Sequence, residues 1–330
     1  MRLRSLRKDS GDYKNLNWAR SQHVGMCYSN EYYQPMPLFF TREGNTLQLV
    51  GNWRGASCFL VAGGPTLGQI EAQKIKNSGI MSLGINNAVK VLRPNLWVCV
   101  DEVTHFIASV WLDPTIMKFV PFDHQNKCLW DTRDGKWEPL MVDGNQICVG
   151  DCPNMVYYRR NEKFHAARFL FEDTFNWGDC EKFGGNRSVM LPALRVLFLL
   201  GFRRVFMVGT DFKMDAEYKY AFEQERSGGS IEGNNSSYAK LQKRFKEVKK
   251  HFDKEGFEVF NCSEASELKV FPHMDFDEAI ARAGSEFANL EKESTNNMYD
   301  TTYEEKQERM VRDMVKAQGG ANQEEGTKDK

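Results

Sequence analysis

The sequence predicts an α/β protein built on an open, mostly parallel sheet, and three observations support this prediction. Short apolar runs typical of buried strands alternate with helical patterns from residue 57 onward. Glycine pairs at 63–64 and 184–185 stand where one pattern gives way to the next. Several apolar runs end on polar side chains, as strands of a parallel sheet do where ligands bind. A ligand site at the carboxyl edge of the sheet is therefore expected.

Composition narrows the class of protein. The chain has 330 residues and 41% hydrophobic content, enough for one large domain with appendages. A formal net charge of −1 gives no global reason to expect nucleic acid or an anionic membrane as partner. Eight cysteines in apolar contexts, with no signal peptide before them, predict a reduced, cytoplasmic protein. No second Cys or His pair completes a zinc pattern with Cys148 and Cys152, and no apolar run reaches the ~20 residues of a membrane span.

The stretch at 56–72 is the first candidate ligand-binding segment. Residues 58–62 predict a buried strand, and Gly63 and Gly64 allow a tight turn after it. Thr66 and Gln69 have the spacing of a capping box at the start of a helix. The first N–H groups of that helix would face the end of the strand and hold a phosphate. The alternative is a tight turn that uses glycine for its geometry alone.

Further apolar runs predict strands at 80–85, 96–100 and 117–121. The first of them ends on Asn86 and Asn87, and the second ends on Asp101. Because the carboxyl ends of parallel strands lie along one edge, these side chains are expected near the glycine turn.

Between 123 and 184 the periodicity breaks down, which predicts an insertion or lid that includes a possible strand at 155–158. His124 and His165 lie in this region without a visible partner, which favours a structural role for each.

Residues 184–202 form the second candidate ligand-binding segment. They predict a helix that is apolar nearly all round, and therefore buried, and that Gly201 ends. A ligand oxygen could satisfy the free donors at the start of this helix, beside Asn186, Arg187 and Ser188. Ordinary capping by Asn186 or Ser188 is the alternative.

Downstream patterns complete the predicted sheet. They indicate strands at 205–208 and 257–260 and helices at 238–254 and 275–290. The strand at 205–208 ends in Gly209, Thr210 and Asp211. The Gly-, Asn- and Ser-rich stretch at 213–237 predicts a lid over a substrate or a disordered connector. Lysines on the helix at 238–254 indicate a solvated face or an anionic acceptor.

These patterns predict a core at 56–290 with extensions on both sides. Residues 1–55 are aromatic and irregular, with an edge hairpin near Gly44, and are expected to pack on the core. Residues 291–330 are charged and poor in apolar side chains, which predicts a helical or disordered tail.

The segments 59–67, 84–87 and 185–211 resemble the Rossmann-like core of bacterial lipooligosaccharide sialyltransferases. Motility accessory factor glycosyltransferases and the archaeal 6-hydroxymethylpterin diphosphokinase share this core. The resemblance spans about residues 56–290 and implies a mostly parallel sheet with helices on both faces. In the sialyltransferases the glycine loop and the Asn after the second strand hold a cytidine nucleotide. By match these are Gly63, Gly64, Pro65, Asn86 and Asn87, and the segment that helps to hold nucleotide or sugar corresponds to Gly185 and Ser188.

The sequence departs from that family in its lid. The sialyltransferase lid carries a histidine general base, whereas residues 218–238 contain no histidine. Asp211, Glu223 or Glu225 would then act as base, or the reaction is different.

Three functions remain open at this point. The first is a glycosyltransferase that uses a nucleotide-sugar donor and a hydroxyl on a glycan, a protein or a hydroxymethylated DNA base. The second is a diphosphokinase in which Asp101 and Asp211 hold Mg²⁺ against a nucleoside triphosphate. The third is a non-catalytic nucleotide-binding protein, as from a phage or mobile element. The candidate donor-binding residues are Gly63, Gly64, Pro65, Thr66, Asn86, Asn87, Asp101, Gly185, Asn186 and Ser188, and the candidate catalytic residues are Asp211, Glu223 and Arg187.

Overall fold

The computed structural model describes residues 39–133, 136–161, 164–171, 175–176, 188–215, 220–224, 228–285 and 307–313. The chain divides into two units, Met1–Glu286 and Phe287–Lys330. In the second unit, residues 307–313 form an exposed helical segment.

The first unit is an α/β fold built on a nine-stranded sheet. The strands of the described residues are β1 (Phe39–Phe40), β2 (Thr46–Leu47), β3 (Ser57–Val61), β4 (Met81–Ile85), β5 (Leu96–Val98), β6 (Met117–Pro121), β7 (Trp130–Arg133), β8 (Lys136–Pro139), β9 (Met141–Val142), β10 (Asn145–Gln146), β11 (Met155–Tyr158), β12 (Arg160–Asn161), β13 (Phe175–Asn176), β14 (Arg204–Val208) and β15 (Glu258–Asn261). The main sheet has the order β15-β14-β3-β4-β5-β6-β11-β1-β2. Its first seven strands in this order pair in parallel, and β1 and β2 pair antiparallel at the edge.

The order of the strands reverses beside β3. From β3 the chain adds β4, β5, β6 and then β11 on one side, and it later returns to place β14 on the other side. The loops that follow β3 and β14 therefore leave the sheet in different directions and open a crevice between them. In open α/β sheets, ligands bind at this kind of switch point.

The central strands form because continuous apolar runs can be buried on both faces of a parallel sheet. All five residues of β3 are buried. Cys58 and Leu60 pack on one face with the helices that cover it, and Phe59 and Val61 pack on the other. The predicted strands at 117–121 and 155–158 are confirmed residue for residue.

Helices cover both faces of the sheet. They are α1 (Gln73–Asn77), α2 (Ala108–Leu112), α3 (Met190–Leu200), α4 (Gly228–Lys254) and α5 (Phe276–Gly284). The helices α3 and α4 share one core cluster, whereas α1 and α5 belong to the cluster on the opposite face. All eleven residues of α3 are buried, and Gly201 ends it with φ 107°, as predicted.

The capping box predicted at Thr66 and Gln69 is wrong. Pro65–Gln69 is a short 3₁₀ helix that begins after Gly64, and no side chain caps it locally. Thr66 instead directs its hydroxyl to Asp211, 145 residues away, at 2.9 Å.

The predicted loop at 213–237 is only partly a loop. The helix α4 begins at Gly228, ten residues before the predicted start at 238. Asn235 stabilises this early start, because its side chain accepts from the N–H of Met214 at 3.0 Å and donates to the Met214 carbonyl at 2.7 Å. The predicted apolar stripe is confirmed further along, where Leu241 and Phe245 are buried.

The region predicted as an insertion is more regular than expected. Two short antiparallel hairpins, β7–β8 and β9–β10, lie within it. The strand β11 then joins the main sheet in parallel beside β6. The expected hairpin near Gly44 is confirmed as β1–β2, and the φ of Gly44 is 83°. Among the described residues, no helix is long and apolar enough to cross a membrane.

Candidate functional site

A cavity of about 230 Å³ lies at the switch point of the sheet. Most of its lining comes from the ends of strands and the start of a helix: 62–64 after β3, 85–88 at the end of β4, 209–213 after β14 and 188–190 at the start of α3. Residues within 100–106, 220–224 and the first half of α4 complete it. The two glycine-containing segments of the sequence thus meet at one place, since Gly64 and Ser188 both line this cavity.

Gly64 is required by a close approach of two chain segments. A Cβ added there would lie 2.0 Å from Asp211 Oδ2 and 2.6 Å from the Gly209 carbonyl oxygen. The Gly64 N–H donates to that same carbonyl at 2.8 Å. Any larger residue would push the loops after β3 and β14 apart.

The Asp211 carboxylate occupies the position where the sequence predicts a phosphate. It accepts hydrogen bonds from the Thr66 N–H at 3.3 Å and from the Thr66 hydroxyl at 2.9 Å. The N–H groups of Gly64 and Thr66 already have protein acceptors, and the expectation that the start of this helix holds a donor phosphate stays a prediction. The loop is closed from within the protein by an acidic side chain, which takes the role of the anion.

Burial governs the chemistry of Asp211. Its residue is 9% exposed. Burial raises the pKa of the Asp211 carboxyl above its usual value, and the hydrogen bonds from Thr66 offset part of this rise. The Asp211 carbonyl accepts from the Glu267 N–H at 2.8 Å, and the neighbouring Thr210 hydroxyl donates to Asn261 at 2.7 Å. The backbone at Asp211 is therefore held by the segment that follows β15.

The start of α3 is also satisfied within the protein. The Met190 N–H donates to the Ser188 hydroxyl at 3.3 Å, and the Leu191 N–H donates to the Ser188 carbonyl at 3.2 Å. Ser188 therefore accepts from two N–H groups at the start of α3, but the residue at the capping position is Val189 and no side chain caps the helix there. Ser188 nevertheless lines the cavity.

Two buried amide oxygens at the cavity have no partner among the described residues: Asn86 Oδ1 and Asn87 Oδ1. Asn86 has φ 50°, a left-handed conformation that Asn tolerates better than most residues. The Asn87 amide donates to the His105 carbonyl at 2.9 Å and to Gln224 Oε1 at 3.3 Å, which holds its oxygen side in place. A buried acceptor without a donor costs about 1–3 kcal/mol, and because these oxygens have almost no accessible surface, a ligand donor would reach them only after the side chains rotate toward the cavity.

Aromatic side chains form one wall of the cavity. The Tyr220 and Phe222 rings stack with centroids 5.3 Å apart. Their segment is tied to the glycine turn, because the Ala221 N–H donates to the Gly63 carbonyl at 3.0 Å. A Cβ at Gly63 would lie 2.9 Å from the Phe222 ring, so this glycine leaves room for the wall.

The predicted site residues are distributed unevenly. Seven of them line the cavity: Gly63, Gly64, Asn86, Asn87, Asp101, Ser188 and Asp211. Pro65 and Thr66 do not line it, and Thr66 acts through Asp211. Glu223 is exposed and is absent from the lining, between Phe222 and Gln224, which do contribute. Gly185, Asn186 and Arg187, together with Glu225, lie outside the described residues.

Sequence reasoning missed His105 and Lys213, both of which line the cavity. His105 lies four residues after Asp101, in the segment that follows a strand ending at the ligand edge. Lys213 lies two residues after Asp211. Position after a predicted strand was therefore the available signal, and among the candidate bases only Asp211 has that position. His124, from the insertion, is buried away from this lining.

The carboxylates at the cavity provide a limited ligand set for a metal ion. In the part of the chain that the structure describes, no group of three or more His, Cys, Asp or Glu side chains is placed to hold one. Asp101 is exposed, and both Asp211 oxygens are engaged by Thr66.

Comparison with known proteins adds little to this geometry. No protein-family model and no curated protein matches the chain. The crystal structure of a mammalian sialyltransferase in complex with Gal-beta-1-3GalNAc-ortho-nitrophenol matches 70% of this chain and 84% of that chain, at 11% sequence identity and a TM-score of 0.29. A similarity of this size carries no inference about the ligand or the reaction of this chain.

Proposed function

We propose that this protein is a glycosyltransferase that moves a sugar from a nucleotide-sugar donor to a hydroxyl acceptor. One observation carries the proposal. The residues that line the cavity at the switch point include two asparagines whose buried amide oxygens have no partner in the described part of the chain, together with a lysine, a histidine and a stacked aromatic pair. These groups match the parts of a nucleotide sugar: hydrogen-bond donors, negatively charged phosphate and a flat ring.

The nucleoside is assigned to the side of the cavity at Asn86 and Asn87. Their amide oxygens accept hydrogen bonds, so they suit the N–H groups of a base or the hydroxyls of a ribose. The Tyr220 and Phe222 rings offer a surface on which an aromatic base can stack.

The phosphate is assigned to Lys213, because the N–H groups of Gly64 and Thr66 are already occupied. Lys213 is an exposed residue that lines the cavity, and its flexible side chain can bring the amine to offset the charge that develops on the leaving nucleotide. Asp211 lies on the same loop, so phosphate is expected to bind on the Lys213 side rather than against this carboxylate.

His105 is the group that we assign to deprotonation of the acceptor hydroxyl. Histidine is the side chain most often used as a general base near neutral pH. Asp211 remains a second candidate, but Thr66 engages both of its oxygens. The acceptor is a hydroxyl of a glycan, a protein or a hydroxymethylated DNA base.

The diphosphokinase alternative has one observation in its favour, because Asp101 and Asp211 line the same cavity. Magnesium in such sites is bound by one or two carboxylates together with substrate phosphates. In this structure the Asp211 oxygens already accept from Thr66, which leaves Asp101 as the carboxylate better placed for a metal.

Ligand-dependent stabilisation separates these functions. Melting curves would be recorded with CMP, UDP, GDP and ATP, each with and without Mg²⁺, because a ligand that binds only the folded state raises the melting temperature. Stabilisation by a nucleoside mono- or diphosphate without Mg²⁺ is the expected result. Stabilisation by ATP alone, and only with Mg²⁺, would favour the diphosphokinase.

Turnover is tested by incubating the protein with nucleotide sugars, both in water alone and with an added glycan, protein or hydroxymethylated DNA as acceptor, and measuring nucleotide release by chromatography. The variant His105→Gln is expected to lower kcat by about 100-fold or more with little change in donor binding. His165→Gln is the matched control, since His165 is exposed and does not line the cavity. Equal turnover by both variants would show that His105 is not the base. Failure to release nucleotide from any nucleotide sugar would favour the non-catalytic nucleotide-binding protein.

A further inference from the structure

Two cysteines outside the cavity face each other across adjacent antiparallel segments. Cys128 and Cys148 form an isolated antiparallel bridge. The Leu129 N–H donates to the Ile147 carbonyl at 2.8 Å, and the Val149 N–H donates to the Lys127 carbonyl at 2.9 Å. Backbone hydrogen bonds lie on both sides of the pair, and none joins the backbone of Cys128 to that of Cys148. The two residues are therefore a non-hydrogen-bonded pair of the antiparallel ladder.

This type of pair brings two side chains unusually close. The Cα atoms of non-hydrogen-bonded partners in antiparallel strands lie about 4.5 Å apart. That distance falls inside the range of about 4.4–6.8 Å over which disulfides form. The two thiols are already in hydrogen-bond contact, and both residues are partly exposed. A disulfide would therefore need rotation of side chains and little movement of the backbone.

A third cysteine lies nearby but is placed differently. Cys152 is buried, and its thiol donates to the Cys148 carbonyl at 3.6 Å rather than to the Cys148 sulfur. It follows Cys148 after the single 3₁₀ turn Val149–Asp151. Cys148 is therefore paired with Cys128 in the fold, although Cys152 is closer to it in the sequence.

We propose that Cys128 and Cys148 are a thiol pair that is oxidised to a cross-strand disulfide by a low-molecular-weight disulfide such as oxidised glutathione. In the first step a Cys128 thiolate attacks one sulfur of the oxidant and releases one glutathione thiolate. In the second step Cys148 loses its proton and attacks the Cys128 sulfur of the mixed disulfide, which releases the second glutathione. Two protein electrons thus reduce one oxidant disulfide to two thiols.

The two thiols are suited to different steps. Burial and the contact with Cys128 raise the pKa of the Cys148 thiol to about 11, so it is the slower nucleophile and the resolving group. The second step should then accelerate as the pH rises and more Cys148 thiolate forms. A thiol of high pKa is also a poor leaving group, so a reductant should attack the Cys148 sulfur rather than release the Cys148 thiolate.

Peptide mapping tests the pairing directly. The full-length protein, reduced and then incubated with oxidised glutathione, would be alkylated and digested with trypsin. Cleavage after Lys127, Arg133, Lys136 and Arg159 places Cys128 in peptide 128–133 and both Cys148 and Cys152 in peptide 137–159. The proposal predicts one cross-linked species that joins these two peptides, about 2 Da lighter than their reduced sum.

Two serine variants identify the partner. Cys148→Ser is expected to abolish the cross-link and to stop at the mixed disulfide on Cys128. The matched control Cys152→Ser is expected to retain the cross-link. Melting curves of both reduced variants check that they remain folded, and the wild-type cross-linking rate should rise between pH 7 and pH 9.

Three results would overturn the proposal. One is a disulfide within peptide 137–159, which would pair Cys148 with Cys152. Another is a product that joins Cys27 or Cys180 to either peptide. The third is complete alkylation of Cys128 and Cys148, or stable glutathione adducts on them, after prolonged incubation at pH 9.

Discussion

The Asp211 carboxylate accepts hydrogen bonds from both the hydroxyl and the backbone N–H of Thr66, at 2.9 and 3.3 Å. This contact joins the loop after β3 to the loop after β14 at the point where the strand order reverses. The Thr66 N–H, which the sequence analysis assigned to a phosphate, thus has a protein carboxylate as its acceptor. The ligand must therefore be recognised by other groups of the cavity.

The unfolding free energy of Asp211→Asn, relative to that of the wild type, should increase as the pH rises from 4 to 7. Burial raises the folded-state pKa of Asp211, so the folded state binds more protons than the unfolded state in this window. The contribution of Asp211 to stability is therefore complete below the unfolded pKa and is lost as the pH rises through the folded value. Asn retains an acceptor for Thr66 and does not titrate.

Melting curves of wild type and Asp211→Asn between pH 4 and pH 7 check this sign. Asp211→Ala serves as the control, because it also removes the titrating group but leaves the Thr66 donors without an acceptor, so it should be about 1–3 kcal/mol less stable than Asp211→Asn at every pH. A difference between wild type and Asp211→Asn that does not change with pH would contradict the expectation.

Gly64→Ala should destabilise the protein by about 3 kcal/mol and weaken nucleotide binding. The added Cβ would lie 2.0 Å from Asp211 Oδ2 and 2.6 Å from the Gly209 carbonyl, so the two loops must separate. Gly68→Ala is the matched control, since its Cβ would meet its nearest neighbour, Ala221, at an ordinary 3.7 Å. Chemical denaturation of both variants measures the difference, and equal midpoints would show that the loops yield without cost.

Asn86→Gly should weaken nucleotide binding about tenfold, or ~1.4 kcal/mol, without loss of stability. Glycine adopts the φ of 50° at this position without strain, and the backbone carbonyl that accepts from Trp97 at 2.7 Å is retained. The substitution therefore removes the unpartnered amide oxygen and little else. Isothermal titration with the nucleotide found by the melting screen measures the affinity. An unchanged Kd would place the ligand away from Asn86.

Stability should fall in acid because of His124. This residue is completely buried, and neither ring nitrogen has a hydrogen-bond partner among the described residues. Burial lowers the pKa of His124 to about 4, with Lys127 and Arg160 adding to the effect and Asp123 and Glu102 opposing it. The folded state then binds fewer protons than the unfolded state, so this contribution is present above about pH 6.5 and is lost as the pH falls through 4.

Ionisation of His124 should lower the unfolding free energy by on the order of 3 kcal/mol across this pH range. His124→Phe keeps a flat, buried ring that does not titrate, so its unfolding free energy should depend less on pH between 6.5 and 4. Urea unfolding of both proteins at three pH values in that window gives the comparison. Parallel pH profiles would assign the acid sensitivity to other groups.

Local patterns in the sequence determined most of the regular structure. The apolar runs at 117–121 and 155–158 became strands at those same residues, and Gly201 ended the buried helix α3 as predicted. These features depend on neighbouring side chains and on backbone preferences, so they can be predicted without knowledge of the rest of the chain. The resemblance to sialyltransferases and the roles of Asn86 and Asn87 remain predictions.

Only the tertiary structure decided how those elements meet. Thr66 reaches Asp211 across 145 residues, and Cys128 touches Cys148 because two segments pair antiparallel. His105 lines the cavity because β5 lies two strands from β3 in the sheet. The order of strands depends on how crossover segments pack on the two faces of the sheet, and the period of a single strand or helix does not encode that order. The sequence therefore predicted a site at the carboxyl edge of the sheet, and the fold decided which side chains line the cavity there.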